Sequence, residues 1–180
     1  MKREELEHVI RAAADITKDE IVVVGSQAVL AQYPDAPEAL LVSLEVDVYP
    51  RGNPEQAIEI DAAMGDGSPF HETFGYYAHG VGPETPVAPA GWQERLIRLD
   101  LPAILAKSGT VTAWCLEVHD LVLAKLAAGQ PHDFVFAEEA LRAGLVDVDR
   151  IQQGIELMPE SHRQVTQERL DGIVGRTPEV

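Results

Sequence analysis

One cysteine, Cys115, stands among the 180 residues, so no internal disulfide can form and the composition fits a reducing cytoplasm. It lies in the apolar run 111–116, where it reads as a small buried hydrophobe. No apolar stretch approaches the roughly 20 residues of a membrane-spanning helix. The N-terminus, Met1-Lys-Arg-Glu-Glu, has no apolar signal core, so a cytoplasmic location is expected, with no membrane partner. Positive charge is scarce: 14 Lys and Arg face 30 Asp and Glu, a net charge of −16. Such a surface argues against broad nonspecific nucleic-acid binding but does not exclude a small anion or a nucleic acid held at a local site. Most of the cations lie late, since residues 1–90 carry 5 basic and 16 acidic side chains and residues 91–180 carry 9 and 14. His-x-x-x-His and Cys–His spacings are absent, which speaks against zinc. Serine-nucleophile elbows, Walker loops and dinucleotide fingerprints are absent too.

What is present is a patterned α/β chain. Leu6, Val9, Ile10, Ala13 and Ala14 recur at helical spacing and predict an amphipathic helix over 3–17. Ile21–Val24 reads as a short apolar strand, followed by a Gly25-Ser26 turn and a helix over 27–32. A loop over 33–38 leads to a strand at 43–49. Asn53 and Pro54 then predict a capped helix ending at Gly65. Residues 65–92, rich in Gly, Pro, His and aromatics, read as loop and short strands; 94–99 and 110–116 read as further strands. Helices are expected over 117–128, 131–143, 148–158 and 161–174, broken by Gly129, Gly144 and Pro159. The expected fold is α/β (α+β), a small mixed sheet flanked by helices: a core over 1–116 with a helical C-terminal region, 117–180, packed on it.

Within the strand at 43–49, apolar and acidic residues alternate with period two. Leu44, Val46 and Val48 are expected on one face, Glu45, Asp47 and Tyr49 on the other. The two carboxylates then sit about 6.6–6.8 Å apart at Cα and can converge on one divalent cation. Like charges held that close repel, and burial adds to the cost, so a hard metal such as Mg²⁺ is the natural reason for the arrangement. The alternative is a solvated acidic face on an edge strand. Gly25 permits close backbone approach, Ser26 offers a hydroxyl, and the N–H groups that open the next helix suit an anion. A plain tight turn with a serine cap is the alternative there.

An apolar strand ending in Gly25-Ser26, a helix, and a strand bearing Glu45-x-Asp47 together resemble the nucleotidyltransferase superfamily. The segments at 25–28, 45–50, 68–77, 91–96 and 119–129 narrow this to small bacterial nucleotidyltransferase-like proteins related to AbiEii-type toxins. The resemblance implies a nucleotidyltransferase fold and Mg²⁺-dependent transfer of a nucleotidyl group from an NTP to a hydroxyl acceptor. Glu45 and Asp47 would hold the metal; Gly25 and Ser26 would seat the phosphates. It also implies an antitoxin-like protein partner if the chain serves as a toxin.

Four departures from the family pattern stand out. Glu45 replaces the usual first aspartate. Eighteen residues separate Ser26 from Glu45, a longer gap than usual. A third carboxylate has no clear place, with Glu94 the nearest candidate. Lys125 and Asp133 keep two positions of the AbiEii pattern, but Gln130 and His132 stand where cations are usual. These changes favour the rival reading, a catalytically degenerate module that binds a nucleotide or a protein.

Other side chains admit two roles each. Lys125, amid Leu121, Leu123 and Leu126, is expected to reach the acidic cleft and add positive charge to a triphosphate site, or else to snorkel to water. Arg95 beside Trp92 is expected to bind phosphate or stack on a base, or else to join a surface ion pair. Phe70, Phe74, Tyr76 and Tyr77 wall a nucleoside pocket or form core beneath a loop. His71 reads as polar packing or a catalytic group, and His79 as a second histidine flanking the same loop.

Overall fold

The heptad-like spacing of Leu6, Val9, Ile10 and Ala13 gives helix α1 (Arg3–Thr17) one fully buried face. Its C-cap, Lys18, takes the left-handed conformation and turns the chain directly into strand β1 (Ile21–Val23). All three β1 residues are buried, as befits a strand with neighbours on both edges. The computed structural model describes residues 1–103 and 109–175. Strands β2 (Glu45–Pro50), β3 (Tyr77–Gly80), β4 (Ile97–Pro102) and β5 (Thr110–Cys115) complete a five-stranded sheet in the order β3-β2-β1-β5-β4. The sheet is mixed: β1–β5 and β2–β3 are parallel, β1–β2 and β4–β5 antiparallel.

After β1 the chain does not enter the single helix expected over 27–32. It makes a 3₁₀ turn over Ser26–Ala28 and then one α turn, α2 (Val29–Gln32). The long connection to β2 contains another 3₁₀ turn, Glu38–Leu40, rather than loop alone. The expected Asn53 cap is not made by its side chain. A 3₁₀ turn over Pro54–Gln56 precedes α3 (Ala57–Met64), and the Asn53 and Gly52 N–H groups donate to Asp19 instead, at 3.0 and 2.7 Å.

Two further local expectations are corrected. Residues 65–92 contain a helix, α4 (Pro69–Phe74), because Ser68 accepts the His71 N–H at 3.2 Å, Pro69 sits at the first helical position and Gly75 closes the helix with φ 79°. The expected strand over 94–99 begins late. Trp92–Arg95 is a 3₁₀ turn anchored by the buried Trp92, and β4 starts only at Ile97.

From Glu117 the described chain is helical: α5 (Val118–Ala128), α6 (Pro131–Arg142), α7 (Val148–Ile155) and α8 (Glu160–Val174). Glu117 caps α5 by accepting the N–H groups of His119 and Asp120. Helix α5 is apolar nearly all round, and α6, α7 and α8 all pack against it. One hydrophobic core joins Leu6, Ile10, Val22 and Val46 to Leu121, Leu126, Phe136 and Ile151, so sheet and C-terminal helices share their interior. The final five residues of the expected helical region lie outside the described residues.

Candidate active site

Strand β2 carries the acidic pair. Val46 and Val48 are fully buried, while Glu45 and Asp47 on the opposite side are partly buried, Asp47 the more so. Two neighbours depart from the expected alternation: Leu44 lies before the strand and is exposed, and Tyr49 is buried. The alternation therefore holds where β2 meets the cleft and fails at its ends.

Asp47 lies against the turn after β1. The Val24 N–H donates to the Asp47 carbonyl at 3.0 Å, which fixes the strand register at that point. A Cβ added to Gly25 would stand 2.0 Å from Asp47 Oδ2. The backbone at Gly25 is ordinary extended chain, φ −84°, so glycine is required by space alone. Gly25, Ser26, Glu45, Asp47, Lys125, His132 and Asp133 line one cavity of about 260 Å³. A second, more apolar groove of about 460 Å³ shares Ser26, Glu45, Lys125 and His132 and continues over Leu40, Val42, Leu44, Tyr77, Val135 and Phe136. The cleft thus has a polar end beneath the Gly25-Ser26 turn and an apolar end beyond Glu45.

Strand β3 completes the acidic end. The β2–β3 register sets Tyr77 opposite Glu45 and His79 opposite Asp47. Tyr77 OH donates to Glu45 Oε2 at 2.9 Å, and the Glu45 carboxylate pushes the phenol up to about 12. His79 Nδ1 lies 3.2 Å from Asp47 Oδ1 and 3.9 Å from Glu45 Oε1. Glu45, Asp47 and His79 each present one ligand atom, and these lie within 4.8 Å of one another. Burial and the neighbouring Glu45 charge raise the Asp47 carboxyl to about 6; His79 opposes that shift. Two carboxylates and an imidazole facing one point form a donor set that fits a divalent cation.

Lys125 reaches this cleft, as its place on α5 implies, but its anion is not the Glu45/Asp47 pair. Asp133, at the first turn of α6, accepts its Nζ at 2.8 Å, and the Phe136 ring lies 4.9 Å from the ammonium. The other Asp133 oxygen accepts the Gln130 N–H at 3.0 Å, part of a capping box that starts α6. The Lys125–Asp133 pair is buried at the junction of the two helices. His132, beside it, is exposed at the cleft rim.

Arg95 is the expected site residue that the fold takes elsewhere. Its Nε and Nη2 donate to the two oxygens of Asp120 at 2.8 and 3.0 Å, a bidentate pair outside the cleft. It lines a separate cavity of about 160 Å³ with Glu117, His119, Asp120 and Arg150. Burial pushes Asp120 above the usual aspartate range even with Arg95 beside it. Glu94, the candidate third carboxylate, is exposed on the 3₁₀ turn and lines neither end of the cleft. His119 is also structural: its Nε2 accepts the Asp147 N–H at 3.0 Å, so Nδ1–H donates to Glu117 Oε1 at 2.8 Å and joins the start of α5 to the start of α7.

The aromatic run divides. Phe70, Phe74 and Tyr76 gather around His8 of α1, whose Nδ1 lies 2.8 Å from Tyr76 OH. Only Tyr77 turns into the cleft, with His71 packed on its ring at 4.7 Å. Tyr77 was expected as a pocket wall and His79 as a loop histidine; their place beside Glu45 and Asp47 is what sequence reasoning passed over. Their signal was the period-two alternation Tyr77, Ala78, His79, hidden inside a segment rich in loop formers.

A family model described as "Nucleotidyltransferase of unknown function (DUF6036)" matches residues 3–170. No curated protein and no solved structure matches the chain.

Proposed function

The chain belongs to this DUF6036 nucleotidyltransferase family, and from that footing we propose that it transfers a nucleotidyl group from an NTP to a hydroxyl acceptor at the Glu45/Asp47 cleft. The observation that carries the reading is the contact of the Asp47 carboxylate with the Gly25-Ser26 turn, which sets metal-binding oxygens beside a backbone seat for phosphate. Glu45 and Asp47 would hold Mg²⁺ or a similar divalent ion. When bound, that ion would neutralise phosphate charge and polarise the reacting phosphoryl group. Gly25 leaves room for phosphate to approach the backbone, and Ser26 supplies a hydroxyl at the same edge. Lys125 Nζ spends one of its three donors on Asp133, and its others serve the polar end of the cleft. The apolar end, over Leu40, Val42 and Phe136, suits the base. The acceptor oxygen bonds to the α-phosphorus as its proton passes to solvent and the α–β bridging bond breaks to release pyrophosphate, so the chain's own task is positioning and charge stabilisation.

Similarity to AbiEii-type toxins extends the proposal to a toxin restrained by an antitoxin-like protein. Val42, Leu44 and Val135 are apolar and exposed along the cleft, where such a partner would cover them.

A second reading, a nucleotide-binding module without catalysis, is favoured by the neutralised cations: Lys125 is paired with Asp133 and Arg95 with Asp120. Incubation with each α-labelled NTP, Mg²⁺ and a cell extract separates the two. Label moved to an acceptor by the wild type and not by Asp47→Asn supports transfer. Metal-dependent NTP binding without label transfer supports the silent module. No metal-dependent binding at all removes both.

A further inference from the structure

We propose that His79 is the third protein ligand of the metal site, and that its nitrogen makes the site select Mn²⁺ over Mg²⁺ more strongly than an all-carboxylate site would. The inference rests on the metal-binding role of Glu45 and Asp47 put forward above.

The geometry comes from the sheet. His79 is directly paired with Asp47 across β2 and β3, so both side chains leave the same face, one strand spacing apart. Its Nδ1 lies 3.2 Å from Asp47 Oδ1 and 3.9 Å from Glu45 Oε1. In an octahedral shell with bonds of about 2.1 Å, adjacent ligands sit about 3.0 Å apart and opposite ones about 4.2 Å. Both measured separations fall between those limits, so a cation can meet all three atoms with small side-chain turns. The His79 side chain is half-exposed, which leaves the ring free to make such a turn. Tyr77 meanwhile holds Glu45 through its other oxygen, Oε2, and leaves Oε1 for the metal.

The chemistry then follows from donor type. Glu94, the carboxylate expected from sequence to serve third, lines neither end of the cleft. Asp61 and Asp66 share a cavity with Glu45 and His79, but among the described residues it is His79 that comes within 4.8 Å of both Glu45 and Asp47, so a nitrogen stands where a third oxygen would. Mg²⁺ is hard, prefers oxygen and sheds water reluctantly; Mn²⁺ keeps the same octahedral shell and accepts nitrogen more readily. Loss of one carboxylate weakens Mg²⁺ binding, and gain of one nitrogen returns more to Mn²⁺ than to Mg²⁺.

The test is titration with each metal alone, without nucleotide. Bound Mn²⁺ is read from loss of the free-ion paramagnetic resonance signal, and Mg²⁺ from its competition. His79→Ala is expected to weaken Mn²⁺ by about tenfold or more, with a much smaller loss for Mg²⁺. His79→Asp is expected to restore Mg²⁺ and narrow the Mn²⁺/Mg²⁺ ratio. The wild-type Mn²⁺ complex is expected to show electron-spin-echo modulation from a directly bound ¹⁴N, absent in both variants. His79→Gln, which keeps a polar side chain, replaces the alanine variant if circular dichroism shows that alanine disturbs the fold. An unchanged metal ratio in the variants, or a wild-type complex without the nitrogen signal, overturns the proposal and reduces His79 to a hydrogen-bond partner of Asp47. Asp47→Asn separates this failure from a wider one. If that variant still binds Mn²⁺ as the wild type does, the metal-site reading itself falls; if it does not bind while His79→Ala binds normally, only the role of His79 falls.

Discussion

Gly25 and Asp47 are in direct contact: the space that any side chain at Gly25 would need is already filled by the Asp47 carboxylate, 2.0 Å from a built Cβ. Oδ2, Cγ and Cβ of Asp47 stand 2.0, 2.9 and 3.1 Å from that Cβ, so the whole short side chain is in the way and not only its tip. Gly25→Ala should therefore lower stability by about 1–3 kcal/mol, the scale of overpacking, although its backbone φ of −84° suits alanine. It should also displace Asp47 and weaken divalent-metal binding by about tenfold or more. Thermal melts paired with metal titration check both halves. Unchanged metal affinity would show that Asp47 does not need this position to bind.

Asp47 should make the metal-free protein less stable as pH rises. Its carboxyl is raised from 3.8 to about 6 by burial and Glu45, so between those values the folded state holds a proton that the unfolded state has released. The sign is fixed. Below 3.8 there is no penalty, through the window stability falls, and above about 6 the full cost of burying the charge, up to about 3 kcal/mol, is present. Asp47→Asn should flatten this part of the profile and match or exceed wild-type stability at pH 7. Metal should reverse the trend by binding the ionised form. Urea midpoints from pH 4 to 7, with and without metal, read all three effects.

The buried Lys125–Asp133 pair predicts a cost that a simple phosphate-binding lysine would not have. Lys125→Met keeps the aliphatic volume but strands Asp133, 4% exposed, without its cation. About 3 kcal/mol of stability should be lost, the scale for breaking a buried pair by removing one member. Lys125→Met/Asp133→Asn should recover much of it, because no lone charge remains. Double-mutant denaturation measures the coupling. Nucleotide titration of the stable double variant then tests the Lys125 contact with phosphate apart from its structural role.

Arg95 gives the opposite pattern. Arg95→Ala leaves Asp120 buried and unpaired and should lower stability by about 2–4 kcal/mol. Nucleotide affinity should stay within about twofold of wild type under conditions where both are folded, a change below about 0.5 kcal/mol. A large loss of affinity without a loss of stability would return Arg95 to the phosphate site.

His119 should prove structural by the same logic. His119→Ala removes the acceptor for the Asp147 N–H and the donor to Glu117, both at the junction of α5 and α7. A loss of about 2–4 kcal/mol is expected from the two broken contacts and the small cavity. Wild-type Mn²⁺ affinity in the folded fraction would confirm that the effect stays away from the cleft.

The sequence by itself determined the elements whose causes are local. Period-two alternation placed Glu45 and Asp47 together on β2, and the spacing of Leu6, Val9, Ile10 and Ala13 set the buried face of α1. Gly129 and Gly144 marked the ends of the helices before them, both with positive φ. Helix α4 was carried by local signals as well, Ser68, Pro69 and Gly75, but loop-forming neighbours masked them. What tertiary structure decided was which side chain meets which. His79 joined the acidic pair because β3 pairs with β2 in a register that no local pattern specifies. Lys125 found Asp133 and Arg95 found Asp120 because buried charges take the nearest partner that packing supplies, eight and twenty-five residues away along the chain. Propensity and periodicity act within a few residues, whereas strand register and ion pairing are settled by the packed core as a whole.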